Sequence, residues 1–315
     1  MKPCTVGLDV GGTKIAGGIV DERSGAVLSS GIVATRPERG GEAVLATALA
    51  MAEDLIVRAE SLDRRVRGIG VGVAELVDLD GDVTSAHTIA WRGMPVQDRF
   101  SQLAPTVVDS DVRVAALGEA LYGAGRPFKI FLYVTVGTGI GFCLVQEGRP
   151  YKGARGNAQI LGGLGELVSA GCADRESASP SLLEDFAAGP ALAARYNHEA
   201  QQEVGGAEDV LAAANADDPI AGRIVSTSGA ALGMGVGWLV NALDPEAVVI
   251  GGGLGLAGGL YWSSVMSSLN ARVWAEESRD LPILPASLGV TAGFVGAAAA
   301  VQAERPMDDR DTGLG

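Results

Sequence analysis

Apolar runs interrupted by glycine mark this chain from its start. Thr5-Val6-Gly7-Leu8-Asp9-Val10, then Gly11-Gly12-Thr13-Lys14, then Ile15-Ala16-Gly17-Gly18-Ile19-Val20 predict a β-hairpin with a Gly/Thr tip. The pattern returns at Val134-Thr135-Val136, Gly137-Thr138-Gly139 and Ile140 to Val145. Each second strand runs into a turn, Asp21 to Gly25 and Gln146 to Arg149. A third strand is predicted over 26–32, and apolar residues at helical spacing predict a helix over 43–62. A buried strand follows at 66–73, then a loop at 74–91, a short strand at 107–111 ending in acids, and a helix over 112–122. Beyond an irregular glycine-rich stretch at 153–171 and a polar loop at 172–181, helices are predicted over 182–196, 210–214 and 220–243. The apolar strand Ala247 to Ile250 leads through Gly251-Gly252-Gly253-Leu254-Gly255 toward a segment of helical character. An Ala-rich helix over 292–303 closes the periodic part, and the charged residues 304–315 read as a disordered tail.

Composition narrows the class. With 315 residues, 47% of them hydrophobic and 20% charged, the chain can bury a large core, and it is expected to divide into two lobes of an α/β protein. Its net charge of −14 argues against a nucleic-acid footprint, which needs clustered Lys and Arg. The first strand begins within a few residues of Met1 and no uninterrupted apolar stretch spans a bilayer, so a cytoplasmic protein without membrane contact is expected. Cys4, Cys143 and Cys172 have no paired spacing, which suggests neither disulfides nor zinc. Only His87 and His198 are present, and neither pattern indicates a histidine base.

The repeated Gly/Thr tip points to phosphate. Glycine lets the backbone approach an anion and turn its N–H groups toward it, and threonine adds a neutral donor. One such hairpin is an ordinary tight turn; two suggest a duplicated nucleotide-binding architecture. Asp9 accompanies only the first tip, and one carboxylate facing a polyphosphate is suited to hold Mg²⁺ through its waters. The Gly251 to Gly255 cluster at a strand end suits a nucleotide. Its partial dinucleotide fingerprint, Gly253-x-Gly255-x-x-Gly258, lacks the following acid, so NAD is not expected; no Gly-x-x-x-x-Gly-Lys-Ser/Thr motif occurs. Asp111 lies where a strand passes into a helix, a position from which a carboxylate either caps the helix or meets a ligand.

Together these residues resemble the ROK family of carbohydrate kinases, within the hexokinase and actin-like ATPase superfamily, over roughly residues 5 to 302. Asp9-Val10-Gly11-Gly12-Thr13-Lys14 is similar to the family's first phosphate motif, Val136 to Gly141 to its second, and Asp244 to Gly253 to its adenosine segment. Ser110-Asp111-Val112-Arg113 to Glu119 resembles the stretch whose Asp is the general base. The resemblance implies an α/β, two-lobed actin-like ATPase (ribonuclease H-like) fold with its active site in the interlobe cleft. Nucleotide contacts would fall on Asp9, Gly11, Gly12, Thr13, Lys14, Gly137, Thr138, Gly139, Gly251, Gly252 and Gly253, with ATP and Mg²⁺ as cofactors, Asp9 as the metal-side residue and Asp111 as the base. Substrate contacts would fall on Ser110, Glu184, Glu75, His87 and Thr88, and a homodimer is implied.

The chain also departs from the family. Ser110 stands where Asn usually precedes the base, and Ile160-Leu161-Gly162-Gly163 occupies the place of a hexose-gripping Glu-x-Gly-His. The Cys-rich zinc signature expected around Cys172 to Leu183 is missing, so no zinc is expected. These changes favour an acceptor other than plain glucose, an aminosugar such as kanosamine or a C7 cyclitol. The alternatives are a glucokinase-type hexose kinase and a catalytically weak nucleotide- or sugar-binding protein; a repressor is disfavoured because the first phosphate motif begins at residue 9. The expected division is a first lobe over 1–122, a second over 123–290, the helix 291–303 packing back on the first, and the tail.

Overall fold

The computed structural model describes residues 1–163 and 182–304. The chain forms two compact units: Met1–Lys129 with Val145–Gln159 and the segment from Val290 onward, and Ile130–Leu144 with Ile160–Gly289. The second unit thus begins at Ile130 rather than at 123, and the chain leaves it again for Val145–Gln159. The expected polar loop 172–181 and tail from 305 lie outside the described residues.

The first unit is built on a sheet of order β3-β2-β1-β4-β5. Strands β1 (Lys2–Val10), β2 (Lys14–Asp21) and β3 (Val27–Ala34) are antiparallel neighbours, and β4 (Arg64–Val73) and β5 (Thr106–Ser110) join in parallel. The pleat sorts side chains to opposite faces. Val6, Leu8, Val10, Ile69, Val71 and Val73 enter one buried cluster with Val44, Leu45 and Ala48 of helix α1 (Gly41–Ser61). The alternate positions of β4 are Gly68, Gly70 and Gly72. Opposite them lie α3 (Asp111–Tyr122) and the last helix of the chain, α9 (Ala292–Ala303). An added Cβ on Gly70 would stand 1.8 Å from the Ala297 carbonyl oxygen, and one on Gly7 the same distance from that of Phe294. The glycines therefore let α9 lie with its backbone against the sheet. A short helix the sequence pattern does not announce, α2 (Val96–Ser101), buries Val96 and Phe100 in the α1-side core.

A second sheet has the order β10-β9-β6-β7-β8, with β6 (Ile130–Val136), β7 (Ile140–Gln146), β8 (Arg149–Pro150), β9 (Ala247–Gly251) and β10 (Ile283–Pro285). The helix expected over 182–196 is two helices, α4 (Leu183–Ala187) and α5 (Gly189–Ala200). They break at Ala188, where the backbone is extended and Pro190 starts the next helix. The segment expected over 210–214 is α6 (Ala207–Asn215). Asp218 caps α7 (Pro219–Leu243), accepting from the Ile220 and Ala221 amides. Gly229, Gly233 and Gly237 bring α7 close to α8 (Gly259–Asn270). By length and composition α7 could cross a bilayer, but 61% of its apolar window is buried inside the protein, as in a core helix.

Candidate active site

In the first unit the Gly/Thr tip closes through the Gly11 amide, which donates to the Lys14 carbonyl oxygen at 3.0 Å. Thr35, at the end of the neighbouring strand, fastens the tip: its hydroxyl donates to the Gly11 oxygen at 2.6 Å and its amide to the Thr13 oxygen at 3.0 Å. Thr13 and Lys14 remain exposed, with Gly11 and Gly12 half-buried. Asp9 stands one residue before the end of β1, directly under this tip. Its carboxylate takes no hydrogen bond among the described residues and rests beside the first turn of α9, where a Cβ on Gly293 would lie 2.2 Å from Asp9 Oδ2. Burial raises the Asp9 pKa to about 6, opposed by Lys14. A half-buried carboxylate without hydrogen-bond donors among the described residues fits a Mg²⁺ held through water.

The structure separates the two roles open to Asp111. Ser110 is the N-cap of α3, its Oγ accepting from the Arg113 amide at 3.4 Å, and Asp111 is the first helical residue. Asp111 Oδ1 accepts from the Val112 amide at 2.7 Å; Oδ2 takes no protein donor among the described residues. Burial, then the Asp9 carboxylate, raise the Asp111 pKa to about 7; Glu75 adds to this, and the Val112 amide and Arg113 oppose it. A carboxylate poised near neutrality is matched to general-base work.

The expected substrate residues of this unit differ in their surroundings. Glu75 is buried, and its two oxygens accept from Ser85 Oγ and from the amides of His87, Thr88 and Ile89. It organises the loop rather than presenting a vacant carboxylate. That loop leaves His87 and Thr88 exposed, and Thr88 meets the first Gly/Thr tip, since a Cβ on Gly12 would lie 2.4 Å from Thr88 Cγ2. Ser110, expected to reach toward an acceptor, is fully buried and donates its hydroxyl proton to Gln159 Oε1. Behind it, the Arg113 guanidinium is 1% exposed and pairs with Asp109, while donating to the carbonyl oxygens of Gly156 and Val77. Lys152 Nζ approaches the other Asp109 oxygen at 3.2 Å.

In the second unit, the Gly137 amide donates to the Gly139 oxygen at 3.0 Å, and the Gly137 oxygen accepts from the Gly189 amide at 2.8 Å. Glu184, expected as a sugar contact, accepts from the Ile140 amide through Oε2 at 2.7 Å and lies against Gly139 and Gly162. It stiffens this tip from behind. Gly252 has φ +82°, and a Cβ there would fall 2.3 Å from the Val136 carbonyl oxygen. That same oxygen accepts from the amides of Leu254 and Gly255. Gly251, Gly252 and Gly253 are thus folded onto the end of β6, and the Gly253 nitrogen comes close to Gly137. The second tip and Gly251 to Gly253 form one surface, with nothing within 4 Å of the Cβ position of Gly253. Among the described residues no group of three or more His, Cys, Asp and Glu is placed to hold a metal ion. The zinc-signature stretch lies mostly outside them.

Sequence reasoning missed Gly293, Thr35, Arg113 and Gln159. Gly293 and Gly296, spaced by a near-turn in an Ala-rich helix, were the one visible signal, since glycine in a helix interior asks for a close neighbour.

Comparison with known proteins gives the same direction. Residues 5–304 match the model of the ROK family. The chain is 31% identical over 309 residues to a glucokinase of Halalkalibacterium halodurans, covering 92% of each chain. It is similar to the crystal structure of a ROK hexokinase from Thermus thermophilus, with 32% identity, TM-score 0.78 and coverage of 96% of this chain and 98% of that one. It is also similar to a ROK family glucokinase from Streptomyces griseus in complex with glucose and AMPPNP, with 29% identity, TM-score 0.80 and coverage of 95% and 99%.

Proposed function

The chain belongs to the ROK family and is an ATP-dependent carbohydrate kinase; from that premise we propose that it phosphorylates a primary hydroxyl of a sugar or sugar-like polyol, with Asp111 as the base. The observation that carries this reading is the carboxylate at the start of α3, released from capping by Ser110 and held near neutrality by burial and by Asp9. Asp111 takes the proton of the acceptor hydroxyl as the hydroxyl oxygen attacks the γ-phosphorus in line, and the bond from that phosphorus to the bridging oxygen breaks to release ADP. Bound Mg-ATP supplies the phosphoryl group and neutralises part of its charge. Asp9 would hold the metal through its waters. Backbone amides near Gly12, Thr13, Gly137 and Thr138 would offset charge on the phosphate oxygens, and Gly251 to Gly253 would lie along the adenosine.

The acceptor we favour is an aminosugar or cyclitol rather than plain glucose. Ile160 is 55% exposed and Gly163 has no side chain, so neither offers a hydrogen-bonding group to a hexose ring. A glucokinase-type activity is the second reading, favoured by relatives of that name at about 30% identity. Coupled ADP release with Mg-ATP across hexoses, aminosugars and cyclitols decides between them. We expect turnover on a non-glucose acceptor, loss of about 10²–10⁴-fold in Asp111→Asn, and loss on Mg²⁺ removal. Higher kcat/KM on glucose than on every analogue selects the second reading; full activity in Asp111→Asn refutes the base.

A further inference from the structure

The excursion Val145–Gln159 is pinned to the start of α3 at three points. Lys152 pairs with Asp109, the Gly156 carbonyl oxygen accepts from Arg113, and Gln159 Oε1 accepts from Ser110. All three partners flank Asp111. The last anchor differs in kind, because it holds a side chain with a second function to offer. Gln159 is 7% exposed, and its Nε2 takes no hydrogen bond among the described residues. The orientation of the carboxamide is fixed by its neighbour. Ser110 Oγ accepts the α3 capping bond, so its own proton must go to an acceptor, which is the Gln159 oxygen. The –NH₂ group is thereby left as a pure donor with no partner among the described residues, at the end of a largely buried side chain next to the residue that precedes the base.

We propose that Gln159 is a specificity-determining residue whose Nε2 donates to an oxygen of the acceptor beside the hydroxyl that Asp111 deprotonates. The inference rests on the kinase reading above and deepens it. A donor-only group rewards a hydroxyl, ether or carbonyl oxygen and is left unpaired by an ammonium, which is itself a donor. At the ring position facing Gln159 the acceptor therefore carries oxygen, which selects neutral polyols and cyclitols over aminosugars bearing nitrogen there.

The test uses matched acceptor pairs, glucose with its 2-amino and 3-amino analogues and a cyclitol with its amino counterpart, measured for kcat/KM with Mg-ATP and for binding by calorimetry. The proteins are wild type, Gln159→Ala and the isosteric Gln159→Glu. Wild type is expected to favour the hydroxy member at one ring position, Gln159→Ala to lose about tenfold on that member alone, and Gln159→Glu to shift preference toward the amine. A merely structural role lowers every acceptor by a common factor, and that result, or no change in ranking, overturns the proposal. Should Gln159→Ala fail to fold, the isosteric Gln159→Glu ranking decides alone. If wild type neither binds nor phosphorylates any pair, the kinase reading itself falls and this inference with it; turnover without a shift in preference removes only the inference.

Discussion

Asp111 ionises against its surroundings, and that cost appears in stability as well as rate. Its pKa rises from 3.8 to about 7 on folding. Between those values the folded state keeps a proton that the unfolded chain releases, so stability falls as pH rises through the window. Asp111→Asn cannot ionise. In metal-free buffer it should melt above wild type at pH 8, by roughly 1–3 kcal/mol, with the gap shrinking toward pH 4. Calorimetry at both pH values checks the sign, and the wild-type kcat/KM should fall as pH drops below about 7, where the base is protonated. Gly293→Ala is the complementary residue test. Alanine favours the helix by about 1 kcal/mol, but its Cβ would fall 2.2 Å from Asp9 Oδ2. We expect little change in melting temperature, an activity loss of roughly 10–100-fold, and a higher Mg²⁺ requirement. Unchanged Mg²⁺ dependence would remove Asp9 from the metal side. Asp9 and Asp111 were legible in the sequence from their places at strand ends. The donors that occupy Glu75 were not, because a carboxylate's partners lie ten and more residues away along a loop without periodicity.

Elements followed from periodicity where one face was buried and the other polar, as in α1. The pattern Gly68-Ile69-Gly70-Val71-Gly72-Val73 announced a buried strand. It did not say that the glycine face would receive two helices, because glycine records the closeness of a neighbour and not its identity. Gly70→Ala and Gly296→Ala place a Cβ 1.8 Å from the Ala297 oxygen and 1.7 Å from the Val114 oxygen. Backbone cannot yield as a side-chain tip can. Each should cost about 3 kcal/mol, read from urea unfolding, whereas Gly31→Ala on β3, with open space at its Cβ, should stay within about 0.5 kcal/mol of wild type. The break between α4 and α5 was carried by Pro190 but hidden within an apolar stretch at continuous helical spacing. The capping of α3 shows the same ambiguity: Ser110 and Asp111 are both good caps, and only the backbone geometry assigns the task to Ser110.

At the scale of the whole molecule, the first unit is assembled from three separated stretches of chain. Its sheet and α3 lean on α9, which buries Phe294, Val295, Ala297 and Ala298 from the far end of the sequence. A fragment comprising 1–129 should therefore lack a fixed tertiary structure, with weak near-ultraviolet circular dichroism and unprotected amides in β4. Cooperative unfolding of that fragment would show that the α1-side core suffices. The sequence by itself determined the two Gly/Thr hairpins, the glycine segment after Ile250, the carboxylates at residues 9 and 111 and the family they resemble. Each of those rests on turn chemistry or on a strand end, and both are local. Tertiary structure alone decided which carboxylates remain without donors, that Gly293 makes room for Asp9, and that the 152–159 segment is fastened beside Asp111. Those outcomes depend on contacts between residues far apart in the chain, and residue pattern fixes what each partner can do but not which partner it meets.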